Sequence, residues 1–245
     1  FDELGIGLFS LSAALFLFFA MLLAIYILSI SKSDKASDIN NAGGGSLDAI
    51  SNSLKIKEIR NIAGYVWIWT ALMTIQWITA INIVENWSQD SEQRLRFFAT
   101  IEQVVSPLTL IVQLFLTNLI IKKVGIKNIL IMYGFLFCIA FLIYGLMPSI
   151  IAVAFVTIFL RIFEYGINKP TRETIFSTFK KNDRHKSTVF IDTFISRFGD
   201  LSGSAFITFG KFTNIAANSF PLIAIPIAGL LSILGIKISK KIKFK

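Results

Sequence analysis

A few charged and strongly polar side chains interrupt otherwise apolar segments of this chain, and their spacing restricts what they can do. Arg161, Glu164, Tyr165 and Asn168 recur at three and four residues, the separation that puts side chains on one face of a helix. Farther along, Asp192, Ser196 and Gly199 or Asp200 share a face in the same way, with Arg197 one turn before Asp200. A guanidinium in such a place suits a phosphate or another planar anionic group. A carboxylate at membrane depth suits a transferable proton. Other chemistry lacks its parts: His185 is the single histidine and Cys138 the single cysteine, so no Ser–His, Cys–His or metal-ligand constellation can be assembled,. We therefore expect no enzyme, no metal and no cofactor.

The elements that must carry these groups are apolar. Hydrophobic residues make up 54% of the chain, charged residues 16%, and 24 of the 245 residues are Phe. The mean hydropathy is +0.69. That balance predicts an all-α polytopic membrane protein. Runs of about 20 apolar residues place spans at about 5–30, 61–84, 98–121, 127–147, 149–168, 188–210 and 217–238. The sixth is the weakest, because it holds Asp192, Arg197 and Asp200. Each charge facing lipid would cost about 2.5–3.5 kcal/mol, so these groups are expected to face the bundle interior. Arg161 lies eight residues before Lys169, about 12 Å into the membrane at 1.5 Å per residue. Pro170 is expected to stop or kink the fifth helix.

Basic residues alternate across this map. One side takes Lys32, Lys35, Lys55, Lys57 and Arg60, then Lys122, Lys123 and Lys127. It also takes Lys169, Arg172, Lys180, Lys181, Arg184 and Lys186, and finally Lys237, Lys240, Lys241, Lys243 and Lys245. The other side takes Arg94, Arg96 and Lys211. The positive-inside rule then makes the first side cytoplasmic, with the C-terminus there. The net charge of +9 reads as topology and contact with anionic membrane lipid. No soluble face interleaves basic and aromatic residues, so nucleic acid is not an expected partner.

One span, a Gly-Ser-Asn-rich cytoplasmic stretch and six further spans match the second half of a twelve-helix major-facilitator-type transporter. On that reading residues 1–30 are the last helix of a missing N-terminal half and 31–57 the linker between halves. Residues 58–239 are the six-helix C-terminal transport half, and 240–245 a basic cytoplasmic tail.

The segments "EYGINKPTRETIFSTF" and "HKSTVFIDTFISRFGDLSGS" resemble the nucleotide (ATP/ADP) transporter family of plastids and intracellular bacteria and its broader bacterial relatives. "SEQRLRFFATIEQVVSPLTLIVQLFLT" is similar to a third segment of that family. The resemblance implies secondary transport of nucleotides, often by exchange, in the inner membrane of a bacterium. Carried over by position, it marks Glu92, Glu164, Lys169, Arg172, Glu173, Lys186, Asp192 and Arg197. Where exchanging members carry lysine, this chain has Asp200, which would repel a polyphosphate. The expectation is an alternating-access carrier for an anionic, possibly nucleotide, solute, with Arg161, Glu164, Asn168, Lys169, Asp192, Arg197 and Asp200 along its path. The alternative is a transporter-derived membrane subunit that anchors or senses beside a protein partner without moving solute.

Overall fold

The computed structural model describes residues 3–31, 56–179, 181–213, 215 and 219–241. Among these residues every regular element is a helix. The chain divides into two units, Phe1–Gly45 and Ser46–Lys245. In the first, helix α1 (Glu3–Ser31) is an apolar run of 29 residues. The expected inter-half linker lies almost wholly outside the described residues, as does most of the basic tail.

The second unit contains α2 (Lys57–Trp87), α3 (Ser91–Val124), α4 (Ile126–Leu146), α5 (Ile150–Phe176), α6 (181–212) and α7 (Phe220–Lys241). Local signals set several ends. The Asp90 side chain accepts from the Glu92 amide at 2.9 Å, and that of Ser149 from the Ala152 amide at 3.2 Å, each satisfying an orphan N–H of a first turn. Between α3 and α4 the chain reverses at Gly125, whose φ of 80° favours glycine,. Helices α2, α3, α4, α5 and α7 are long and apolar enough to cross a membrane. Helix α6 is not apolar enough, which matches the charges it carries. The molecule is thus a multi-pass, all-helical membrane protein.

Helix α2 is the hub. Ile59, Ile62, Val66, Leu72 and Ile75 are fully or almost fully buried, and α5, α6 and α7 all pack on it. Helix α7 also runs along α4, and α5 lies against α3. Helix α6 reaches α2 through small residues: a Cβ added at Gly203 would stand 2.5 Å from the Ala71 carbonyl oxygen. Without water to drive association, such close backbone approach is what van der Waals packing in a membrane requires. The outer side of α3 shows Leu110, Leu114, Phe115 and Leu119, as a lipid-facing surface should.

Three helices each contain one wide, π-type turn: Val112–Leu116 in α3, Glu164–Asn168 in α5 and Ile191–Ile195 in α6. The one in α5 corrects the expectation for Pro170, because the helix continues through it to Phe176. Proline cannot donate a backbone hydrogen bond and crowds the carbonyl four residues earlier. Widening the turn before it leaves carbonyls over, and α3 satisfies them. Gln113 Nε2 donates to Tyr165 O at 3.0 Å, and Thr117 Oγ1 to Gly166 O at 2.5 Å. Gln113 lies within the wide turn of α3 and Thr117 directly after it, so the two irregularities face each other.

Candidate functional site

The wide turn in α5 rearranges the polar stripe. Arg161, Glu164, Asn168 and Arg172 would share one face of a regular helix. One inserted residue turns everything downstream by about 100° at 3.6 residues per turn. As a result the two arginines at the ends of the stripe reach different helices. Arg161 pairs with Glu102 of α3 at 2.5 Å, whereas Arg172 pairs with Asp192 of α6 at 2.9 Å. Each guanidinium also lies 5.4 Å from the centre of a tryptophan ring of α2, Arg161 over Trp77 and Arg172 over Trp69. An arginine on an aromatic face gains about 0.5–2 kcal/mol, most where water is excluded.

Helix α2 supplies the remaining framework. Trp69 Nε1 donates to Tyr133 OH at 2.9 Å, and Gln76 Nε2 to Tyr144 OH at 3.0 Å. Tyr65 OH lies 3.4 Å from Asn168 Oδ1. Tyr65, Trp69 and Gln76 recur at four and seven residues, so one face of α2 holds a buried polar seam toward α4 and α5. Inter-helix hydrogen bonds of this kind contribute about 0.6 kcal/mol each and fix which faces meet.

Among α2, α5 and α6 of the second unit is a cleft of about 250 Å³ lined by Trp69, Thr70, Thr74, Gln76 and Trp77 of α2, by Arg161, Glu164 and Tyr165 of α5, and by Asp200 of α6. Asp200 accepts from Thr74 Oγ1 at 3.0 Å and from Arg197 Nη1 at 3.2 Å. Glu164 is 8% exposed, and its Oε2 has no hydrogen-bond partner. The cleft therefore combines two carboxylates, one shared guanidinium and two indole rings.

Of the residues expected along the path, Arg161, Glu164 and Asp200 meet in this cleft. Asn168 is buried beside Tyr65, outside the lining, and Asp192 is occupied with Arg172. Lys169 is exposed. Arg197 was expected to face the bundle interior, but its side chain is 81% exposed. The reason is rotational: Gly199, Gly203, Ile207 and Gly210 form the buried face of α6, and Arg197 projects from the other side. Glu92 sits in the first turn of α3 and pairs with Arg96 at 2.6 Å, while Glu173 and Lys186 do not line the cleft. Arg172 is 5% exposed and held in the packing.

The reading of the residues passed over Glu102, Trp69, Trp77 and Thr74. Glu102 carried a signal, since it is the single charged residue between Arg96 and Lys122 of α3. The indoles had none beyond their hydrophobicity. No group of three metal-ligating side chains exists among the described residues. No family model, curated protein or solved structure matches the chain.

Proposed function

We propose that this chain forms one half of an alternating-access secondary carrier for an anionic solute. The observation that carries the reading is the cleft where Arg161 and Glu164 of α5, a helix long and apolar enough to span a membrane, meet Asp200 of the more polar α6. Charged groups at that depth are costly unless they serve a path or one another. Arg161 is the natural contact for the solute: its guanidinium is partly accessible and held by one exchangeable carboxylate, Glu102. Glu102 occupies the guanidinium through a single Nη1–Oε1 contact, and an incoming carboxylate or phosphate that takes its place can engage the fork with two parallel hydrogen bonds. In the same reading Arg197, exposed beside Asp200, faces the other half of the carrier. The segment resemblance supplies nucleotides as the first solutes to try, and the positive-inside rule makes the side with the basic connections cytoplasmic.

The test is uptake and counter-exchange in proteoliposomes containing the full-length protein, with labelled ATP, ADP and inorganic phosphate. Saturable exchange that is lost in Arg161→Ala and Arg197→Ala is the expected result. Folded protein that exchanges none of these anions overturns it.

One observation favours a second reading. Arg161, Arg172 and Arg197 all have carboxylate partners within the chain, as suits a subunit that anchors or senses without transport. Stoichiometric co-purification with a protein partner, together with absent exchange, would favour that reading.

A further inference from the structure

Charge balance in the cleft and among the groups paired with its lining deepens this reading and rests on it. Arg161 and Arg197 stand against Glu102, Glu164 and Asp200. Arg161 is 2.5 Å from Glu102, and Arg197 is 3.2 Å from Asp200. One carboxylate is left over, and it is the most enclosed of the three. Glu164 is more than nine-tenths buried, lines the cleft and keeps Oε2 without a partner. Carboxylates in such places are paired, coordinate a cation or carry a proton, because an isolated buried charge costs far more than any of these.

The neighbours of Glu164 decide among those outcomes. Its own helix contributes Arg161, Tyr165, Lys169 and Arg172. Arg161 is taken by Glu102, Arg172 by Asp192, and Lys169 is exposed. From α6 it is faced by Asp200, a second acid, and from α4 by the buried Tyr133. Helix α3 contributes Glu102, which is paired with Arg161. Helix α2 turns Trp69, Gln76 and Trp77 toward the cleft, with Tyr65 farther along beside Arg172. Among the described residues no cation forms an ion pair with Glu164, although Arg161, Lys169 and Arg172 act on it through space. A metal ion would need several oxygen ligands around one point, and no acidic cluster of that kind exists among the described residues. A proton needs only the carboxylate.

We infer that Glu164 is a proton-binding site of the cleft, and that each proton taken up there compensates one negative charge of the solute. The solute anion displaces Glu102 from Arg161 while the proton neutralises Glu164, so the loaded cleft gains no net charge for each unit of anion and proton bound. The coupling is local, because both groups lie one turn apart on α5.

The deciding experiment is infrared difference spectroscopy of the full-length protein in lipid, recorded between high and low pH without solute. A protonated-carboxyl C=O band should grow as pH falls, disappear in Glu164→Gln, shift in Glu164→Asp and persist in Glu92→Gln. Near-native circular dichroism of each variant keeps the comparison valid. A band unchanged by Glu164→Gln, or no titrating band in the wild type, overturns the proton site. This readout is independent of the carrier reading. A titrating Glu164 with no anion exchange refutes the carrier and keeps the site, whereas exchange without the band does the reverse.

Discussion

Arg161 and Arg172 stand eleven residues apart on α5 and are built from the same three parts. Each has a guanidinium, a carboxylate from a neighbouring helix and a tryptophan ring of α2 at 5.4 Å. They differ in water. The Arg172 side chain is 6% exposed, against 26% for Arg161. A buried guanidinium that loses its partner keeps its desolvation cost, whereas a partly solvated one recovers much of it. The inner unit is therefore a structural tie between α5 and α6, and the outer unit is a contact that another anion can replace. The wide turn at Glu164–Asn168 separates the two roles by turning one stripe toward two neighbours.

The largest effect expected from breaking this contrast is at Asp192. Asp192→Ala leaves Arg172 buried and unpaired and should cost about 3 kcal/mol of stability, read as the shift in a denaturation curve in mixed micelles. Combining Arg172→Met with Asp192→Leu should recover most of that loss, because an apolar pair of similar volume removes both charges. If the single and double variants lose equal stability, the inner unit is not a tie.

Trp69→Phe comes next, at about 1–2 kcal/mol. It loses the indole face under Arg172 and the hydrogen bond to Tyr133 OH,. Trp77→Phe should cost less than half as much, since Arg161 above it is better solvated and no Trp77 hydrogen bond is involved in this comparison. Equal losses at the two positions would erase the difference between the units.

Glu102→Gln should cost under about 1 kcal/mol in stability, while tightening the binding of an anionic probe such as ATP. The gain should be on the order of tenfold, the worth of one charge-assisted hydrogen bond no longer contested. It is measurable by isothermal titration in detergent. Weaker binding in Glu102→Gln would mean that the carboxylate positions Arg161 for the solute rather than competing with it.

How far this arrangement could be read from residues alone follows from what hydropathy and helical spacing encode. Apolar run length placed a helix over each expected span, and three charges within the sixth expected span, 188–210, marked it as the least lipid-compatible. Spacing brought Arg161 and Glu164 together, and Asp200 was expected on the same path. It failed where the helix departs from 3.6 residues per turn. Nothing in "EYGIN" announces a wide turn, and Pro170 is compatible with a stop, a kink or, as here, a turn completed from outside by Gln113 and Thr117. Partner choice was equally hidden. Glu102 is 59 positions from Arg161, and only the packing of α3 on α5 makes them neighbours. The outward direction of Arg197 followed from which face of α6 carries glycines, a pattern present in "RFGDLSGS" but outweighed by the cost of exposing charge.

Arg197 gives the smallest stability effect and the most discriminating one for function. Its side chain is 81% exposed and its link to Asp200 spans a single helical turn at 3.2 Å, so its removal orphans nothing buried. Thr74 Oγ1 still donates to Asp200. Arg197→Ala should therefore leave the denaturation midpoint unchanged, in contrast with Asp192→Ala only five residues away. Yet an exposed guanidinium on a membrane helix has reason to exist only if something polar lies against it. In a carrier that something is the solute path, and Arg197→Ala should abolish exchange while folding normally. In an anchoring subunit it is a protein partner, and the same variant should instead lose co-purification. One substitution with silent thermodynamics thus separates the two functions that the cleft allows.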